Sequence, residues 1–281
     1  MPAHAPRIDA HHHLWQYNAE EFGWISDTMA ELRRDFLVAD LQAALQASQV
    51  TAAVAVQARE SLQETDWLLE CAASTDCIAG VVGWAPLASA AVAEILDEYA
   101  GAPKLVGFRE VAQGQPEGYF DRPEFDRGIR ELTRRGLAYD VLIFETQLPE
   151  AIRLVDRHPQ QRFVLDHAAK PKIAAGETEP WATHMRELGR RPNVCCKLSG
   201  MVTEASWTDW TPEMLQPYLD VCVSAFGTDR LLAGSDWPVC LLASSHARWW
   251  SVLREYVAQF SAAEQDRILG RNALEWYKLT L

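Results

Sequence analysis

The sequence has no basic run and no basic balance. Its 26 Lys and Arg stand against 39 Asp and Glu, a formal net charge of −13. Nucleic acid binds to cationic faces, so a nucleic-acid partner is not expected. The N-terminal segment lacks the apolar stretch of a secretory leader, which predicts a cytoplasmic protein. The uncharged stretch Cys77–Ala93 holds two glycines and a proline and ends at Glu94. A strand followed by a helix start explains it better than a membrane span, so no membrane partner is expected either. None of the six cysteines forms a CxxC pair, which excludes a zinc ribbon and a thioredoxin motif. Several sit in apolar runs, where cysteine acts as a small hydrophobe in a reducing compartment. The nucleotide fingerprints GxGxxG and GxxxxGK[ST] are both missing.

What is present is alternation. Eight short β-rich runs recur: RIDAHHHLW (7–15), TAAVAVQA (51–58), AGVVGWAPL (79–87), LVGFREV (105–111), AYDVLIF (138–144), RFVLDHA (162–168), NVCCKLSG (193–200) and RLLAGSDWP (230–238). Amphipathic stretches separate most of them. In 38–49, Val38, Leu41 and Leu45 share a face. In 122–136, Phe125, Ile129 and Leu132 form a stripe between Pro123 and Gly136. Strands alternating with helices imply a parallel sheet, and eight units without a dinucleotide turn favour a closed (β/α)8 barrel of the TIM type. A single α/β domain over 1–281 is expected, with 18–35 as a long insertion after the first strand. A loop of that length in a compact domain is usually functional.

Such barrels place their sites at the C-terminal strand ends. By that rule His11 and His13 end the first strand, Arg109 and Glu110 the fourth, His167 the sixth, Lys197 and Ser199 the seventh, and Asp236 the eighth. Side chains alternate along a strand, so His11 and His13 face the same way and His12 the other. Two imidazoles so spaced can bind one ion, and His167 and Asp236 are candidates to complete the shell. These nitrogen and oxygen donors suit Zn²⁺, other divalent ions remaining open.

The motifs DAHHHLW, GFRE, FVLDHAAKP, KLSG and LLAGSDWP, with the late RILGRNALEWYKL, resemble the amidohydrolase superfamily. They are most similar to its amidohydrolase-2 branch and, within that, to sugar-lactone hydrolases. The resemblance implies a (β/α)8 barrel acting on small organic acids and lactones, with one divalent metal on the HxH pair and the last-strand Asp. The fifth strand offers no histidine or modified lysine, and the seventh offers the cation Lys197. The implied metal, zinc first, is therefore weakly held or dispensable, with Glu110 as a substitute ligand.

Lactone hydrolysis needs a base for water, a polarised carbonyl and a leaving ring oxygen. Asp236 is the candidate base, against a plain helix cap before Trp237-Pro238. His167 would polarise the carbonyl or ligate, against a hydrogen-bonded core histidine. Arg109 offers a planar fork for a carboxylate or vicinal hydroxyls, against a pair with Glu110 or Asp140. Lys197 is expected at the barrel mouth binding substrate or oxyanion, against a structural salt bridge. Of eleven tryptophans, Trp15, Trp24, Trp84 and Trp237 fall near strand ends or in the insertion and are expected to stack on a sugar. Trp67, Trp249, Trp250 and Trp276 are read as helix packing. His158 is read as an exposed helix end, and His4, His184 and His246 as surface or loop residues.

The small-molecule partner expected is thus an aldonolactone such as L-fuconolactone, L-rhamnonolactone or a related deoxysugar lactone, opened to its acid in carbohydrate catabolism. The rival on the same scaffold is hydrolysis of an aromatic dicarboxylic lactone or a metal-dependent nonoxidative decarboxylation. A non-catalytic barrel would lack the polar strand ends, and they are present.

Overall fold

A computed structural model describes residues 5–281; His4 lies outside them. Eight parallel strands follow one another around a single sheet in chain order. They are β1 (Ile8–His12), β2 (Ala52–Val56), β3 (Ile78–Gly83), β4 (Leu105–Val111), β5 (Ala138–Leu142), β6 (Phe163–Leu165), β7 (Val194–Leu198) and β8 (Leu231–Ala233). Past the last strand, Trp237 bridges back to His12, and the His13 N–H donates to the Trp237 carbonyl at 2.7 Å. The sheet so becomes a barrel, and the eight runs read from sequence are its eight staves. Among the described residues no helix is long and apolar enough to cross a membrane.

Every strand is buried on both faces, which is why the runs read as continuous rather than alternating hydrophobics. Ile8, Ala10, Val54, Val56, Val82, Val106, Val164 and Leu232 fill the interior. The opposite faces, such as Ala53, Val81 and Phe108, pack against the helices. Helix Pro123–Arg135 shows how the outer layer is specified. Proline opens its first turn, Glu124 and Asp126 sit at its N-terminal end and Arg134 and Arg135 at its C-terminal end, and Gly136 stops it at φ 68°. Its buried Phe125, Ile129 and Leu132 face the barrel, each contributing roughly 1.5–3 kcal/mol by burial.

The β1–β2 register carries the feature that builds the site. Asp9 pairs with Ala53 but His12 with Ala55, so β1 holds one residue more than its partner. This bulge resets the alternation. Ile8 and Ala10 point into the barrel below it, and His11 and His13 point to the interior above it.

Candidate active site

His11 and His13 are buried side by side with their Nε2 atoms 3.2 Å apart. Asp236 enters from the segment after β8, and its N–H donates to the His11 carbonyl at 2.9 Å. Its Oδ1 lies 3.3 Å from His13 Nε2, 3.7 Å from His11 Nε2 and 4.0 Å from His167 Nε2. The expected quartet of His11, His13, His167 and Asp236 is thus one cluster.

Two of its members stand on strained backbone. Asp236 has φ 58°, and His167, Ala168, Ala169 and Lys170 form a left-handed run at φ 51°, 48°, 59° and 51°. Left-handed backbone costs roughly 1–2 kcal/mol per residue, so the surroundings must enforce it. They do: Trp181 Nε1 donates to the Ala168 carbonyl at 2.7 Å, and His167 Nδ1 meets Ser199 Oγ at 2.9 Å. Gly200, at φ 65°, lies against the His167 ring, where any Cβ would come within 2.7 Å of Nδ1. The strained turn ends β6 after three residues and presents His167 and Lys170 from one loop.

Protonation follows from partners. His13 Nδ1 is 2.7 Å from the Val56 carbonyl and must donate to it, leaving a lone pair on Nε2. That lone pair faces Oδ1 of Asp236, acceptor against acceptor, an arrangement that a cation or a proton between them would satisfy. His11 Nδ1 has both a donor, Lys197 Nζ at 3.1 Å, and an acceptor, Asp166 Oδ1 at 3.3 Å, so either tautomer is supported. Burial, then Lys197, holds His11 well below the usual imidazole range. Burial lowers His167 to about 4. For Asp236 burial pushes upward, but His167, His13 and His11 outweigh it and keep the carboxyl ionised well below its ordinary range. The site therefore pairs the neutral imidazoles of His11 and His167 with a carboxylate.

Above the cluster opens a cavity of about 190 Å³, lined by His13, Arg109, His167 and Asp236, by Lys170 and Gln113, and by apolar groups including Trp24 of the insertion. Arg109 lines the cavity, with Nη1 donating to Asp166 Oδ2 at 2.9 Å and lying 3.4 Å from His11 Nε2.

Other expectations are corrected. Glu110 is no substitute ligand: it follows Arg109 on β4, so its side chain leaves on the opposite face. There it accepts the Leu87 N–H and the Tyr119 O–H, both at 2.8 Å. Lys197 does not reach the mouth. It is fully buried beneath His11, between Asp140 Oδ2 at 2.6 Å and Asp166 Oδ1 at 3.0 Å. Of the four tryptophans only Trp24 lines the cavity. Trp15 is wholly buried, donates to the Arg34 carbonyl and supports Trp24 edge-on. Trp237 packs on Phe36, and Trp84 follows β3 away from the cavity. His246 is not at the surface but buried, its Nε2 2.9 Å from Asp9 and its Nδ1 2.6 Å from Ser48. His158 is likewise buried against Asp126. Asp166, Lys170 and Gln113 were not singled out from sequence, although the first two lie within the motif FVLDHAAKP.

The family model described as Amidohydrolase matches residues 8–279. An L-fucono-1,5-lactonase of Burkholderia multivorans is 40% identical, over 98% of this chain and 97% of its own. A second L-fucono-1,5-lactonase, from Burkholderia ambifaria, is 36% identical over 97% and 96%. A crystal structure of an amidohydrolase from Burkholderia multivorans with bound zinc superposes with a TM-score of 0.94 at 40% identity, over 98% of this chain and all of that one.

Proposed function

Because this chain belongs to the amidohydrolase family, we propose that it is a lactonase opening a sugar lactone, L-fuconolactone or a related deoxysugar lactone, to the free acid. The observation that carries the reading is an ionised, buried Asp236 at the floor of a small cavity, ringed by three imidazoles and flanked by cations.

Asp236 accepts a proton from the attacking water as its oxygen bonds to the lactone carbonyl carbon. The positive charge of the Arg109 guanidinium, which lines the cavity, stabilises the negative charge that gathers on the carbonyl oxygen. As the ring C–O bond breaks, the proton held on Asp236 passes to the departing ring oxygen. The hydroxy acid formed ionises and releases one proton. His167, held by Ser199 and the left-handed turn, keeps Asp236 charged and oriented.

The donor set fits a divalent ion, which His11, His167 and Asp236 would hold with His13 beside them; zinc suits these ligands, and a relative carries it. Such an ion, when bound, supplies carbonyl polarisation and a more acidic water. The unpaired cysteines suit a reducing cytoplasm, and opening a sugar lactone to its acid suits carbohydrate catabolism.

The test is a pH-indicator assay on a panel of aldonolactones, corrected for spontaneous hydrolysis, with Asp236→Asn as control. Rapid acid release is expected, with kcat falling roughly 10²–10⁴-fold in the variant. Near-normal turnover by Asp236→Asn sinks the base assignment. Turnover of an aromatic dicarboxylic lactone and of no sugar lactone sinks the substrate class.

A further inference from the structure

Most polar groups lining the cavity are already committed to protein partners. Arg109 gives Nη1 to Asp166 and Nη2 to the Gln57 carbonyl. His13 gives Nδ1 to Val56, and His167 pairs Nδ1 with Ser199. Asp236 lies among three imidazoles. Ala58, Val111, Leu142 and Val239 offer no polar side chain at all. Besides the Trp24 indole and Arg109 Nε, two lining groups remain without a protein partner.

Lys170 makes no side-chain hydrogen bond among the described residues; its nearest carboxylate oxygen, Glu204 Oε1, stands at 3.9 Å. Gln113 also makes none, and its amide oxygen is sealed from solvent without a partner. A buried amide oxygen without a partner is costly, while the Lys170 side chain, 22% exposed, is free to turn its ammonium to a ligand. The two lie on the same side of the mouth. Lys170 Nζ is 5.9 Å from the centre of the exposed Phe144 ring, and a Cβ on Gly114, the residue after Gln113, would meet that ring at 3.7 Å. A three-donor cation beside an amide forms a pair that can read sugar hydroxyls.

We propose that Lys170 and Gln113 form the hydroxyl-reading subsite of this cavity and determine specificity for polyhydroxylated over plain lactones. This rests on the lactonase reading above. The ammonium donates to ring hydroxyl oxygens, and the Gln113 amide bonds to a neighbouring hydroxyl. The left-handed turn couples this subsite to the reaction centre, because it fixes His167 and Lys170 three residues apart in one rigid segment.

The experiment compares kcat/KM for a six-membered polyhydroxylated aldonolactone and for unsubstituted δ-valerolactone, in wild type, Lys170→Met and Gln113→Ala, with thermal melts to verify folding. The ratio of the two constants is expected to fall roughly 10- to 100-fold in Lys170→Met, mainly through KM of the sugar substrate, and less in Gln113→Ala. Equal losses on both substrates would place Lys170 on the carbonyl and overturn the proposal, as would a ratio left in place by both variants. A folded wild type that opens neither lactone overturns the lactonase reading itself, and this inference with it. Should Lys170→Met fail to fold, Lys170→Gln, which keeps the stem, is measured for the same ratio.

Discussion

Asp9 accepts the Ser235 N–H at 2.8 Å, and this bond ties the first strand of the barrel to the residue before Asp236. The same carboxylate takes the Ser235 hydroxyl, the His11 N–H at 3.1 Å and His246 Nε2 at 2.9 Å. One buried side chain so fixes the bulge that aims His11 and the strained residue that presents the base.

Asp9→Ala leaves those donors buried and unpaired. It is expected to lower stability by roughly 3 kcal/mol or more and to remove most turnover through misplacement of Asp236. Asp9→Asn keeps an oxygen for the Ser235 N–H and should retain more of both. Urea midpoints with kcat check it; wild-type values in Asp9→Ala would show that Asp9 positions nothing.

Lys197 lies between Asp140 and Asp166 with no exposure, and the Tyr277 hydroxyl caps Asp140 from the C-terminal helix at 2.7 Å. Removing the cation leaves two carboxylates buried beside each other. Lys197→Met is expected to cost roughly 3–5 kcal/mol, and Asp140→Asn in the same chain to restore part of it, a coupling that double-mutant urea curves measure. An unchanged midpoint in Lys197→Met, with only KM raised, would return Lys197 to substrate binding.

Legibility followed the physics. Strand bodies are apolar and strand ends polar, so the eight units, His11, His13, Arg109, His167 and Asp236 could be read from pattern and motif. Strand ends could not: β6 stops at Leu165 because four residues turn left-handed, and nothing in the run HAAK, which holds no glycine, announces positive φ. Lys197 is as polar in sequence as Lys170. Only the inward face of β7 and the carboxylates of Asp140 on β5 and Asp166 just past β6 make the first a floor ion pair, while the loop carries the second into the cavity. Glu110 was misread because adjacency to Arg109 in sequence is opposition on a strand.

Glu64, in the first turn of the helix Leu62–Ala73, holds the cavity wall by accepting the N–H groups of Ala58, at 3.2 Å, and Arg59, at 2.7 Å. Burial outweighs those bonds and raises its pKa to about 7. A raised carboxyl binds its proton more tightly folded than unfolded. Its contribution is therefore complete below about 4.5 and lost as pH climbs through 7, roughly 3 kcal/mol in all. Glu64→Gln mimics the protonated form. It should match wild type near pH 4.5 and exceed it in urea midpoint at pH 8; a constant offset across that range would place the titration elsewhere.

The lone pair of His13 aimed at Asp236 across 3.3 Å makes metal affinity a property that can be measured without turnover. After chelation and dialysis, added zinc is expected to bind at one equivalent per chain. At about a hundredfold excess over Kd it should raise stability by about 2.7 kcal/mol, seen as a higher Tm. His13→Ala removes a donor and leaves Asp236 with less to bind against, so its zinc affinity should fall at least tenfold and the Tm shift shrink accordingly. Asp9→Asn leaves every donor in place and should weaken zinc less than His13→Ala does. If elemental analysis finds no retained zinc and the melt does not move, the cluster is held together by a shared proton, and the imidazoles serve Asp236 alone.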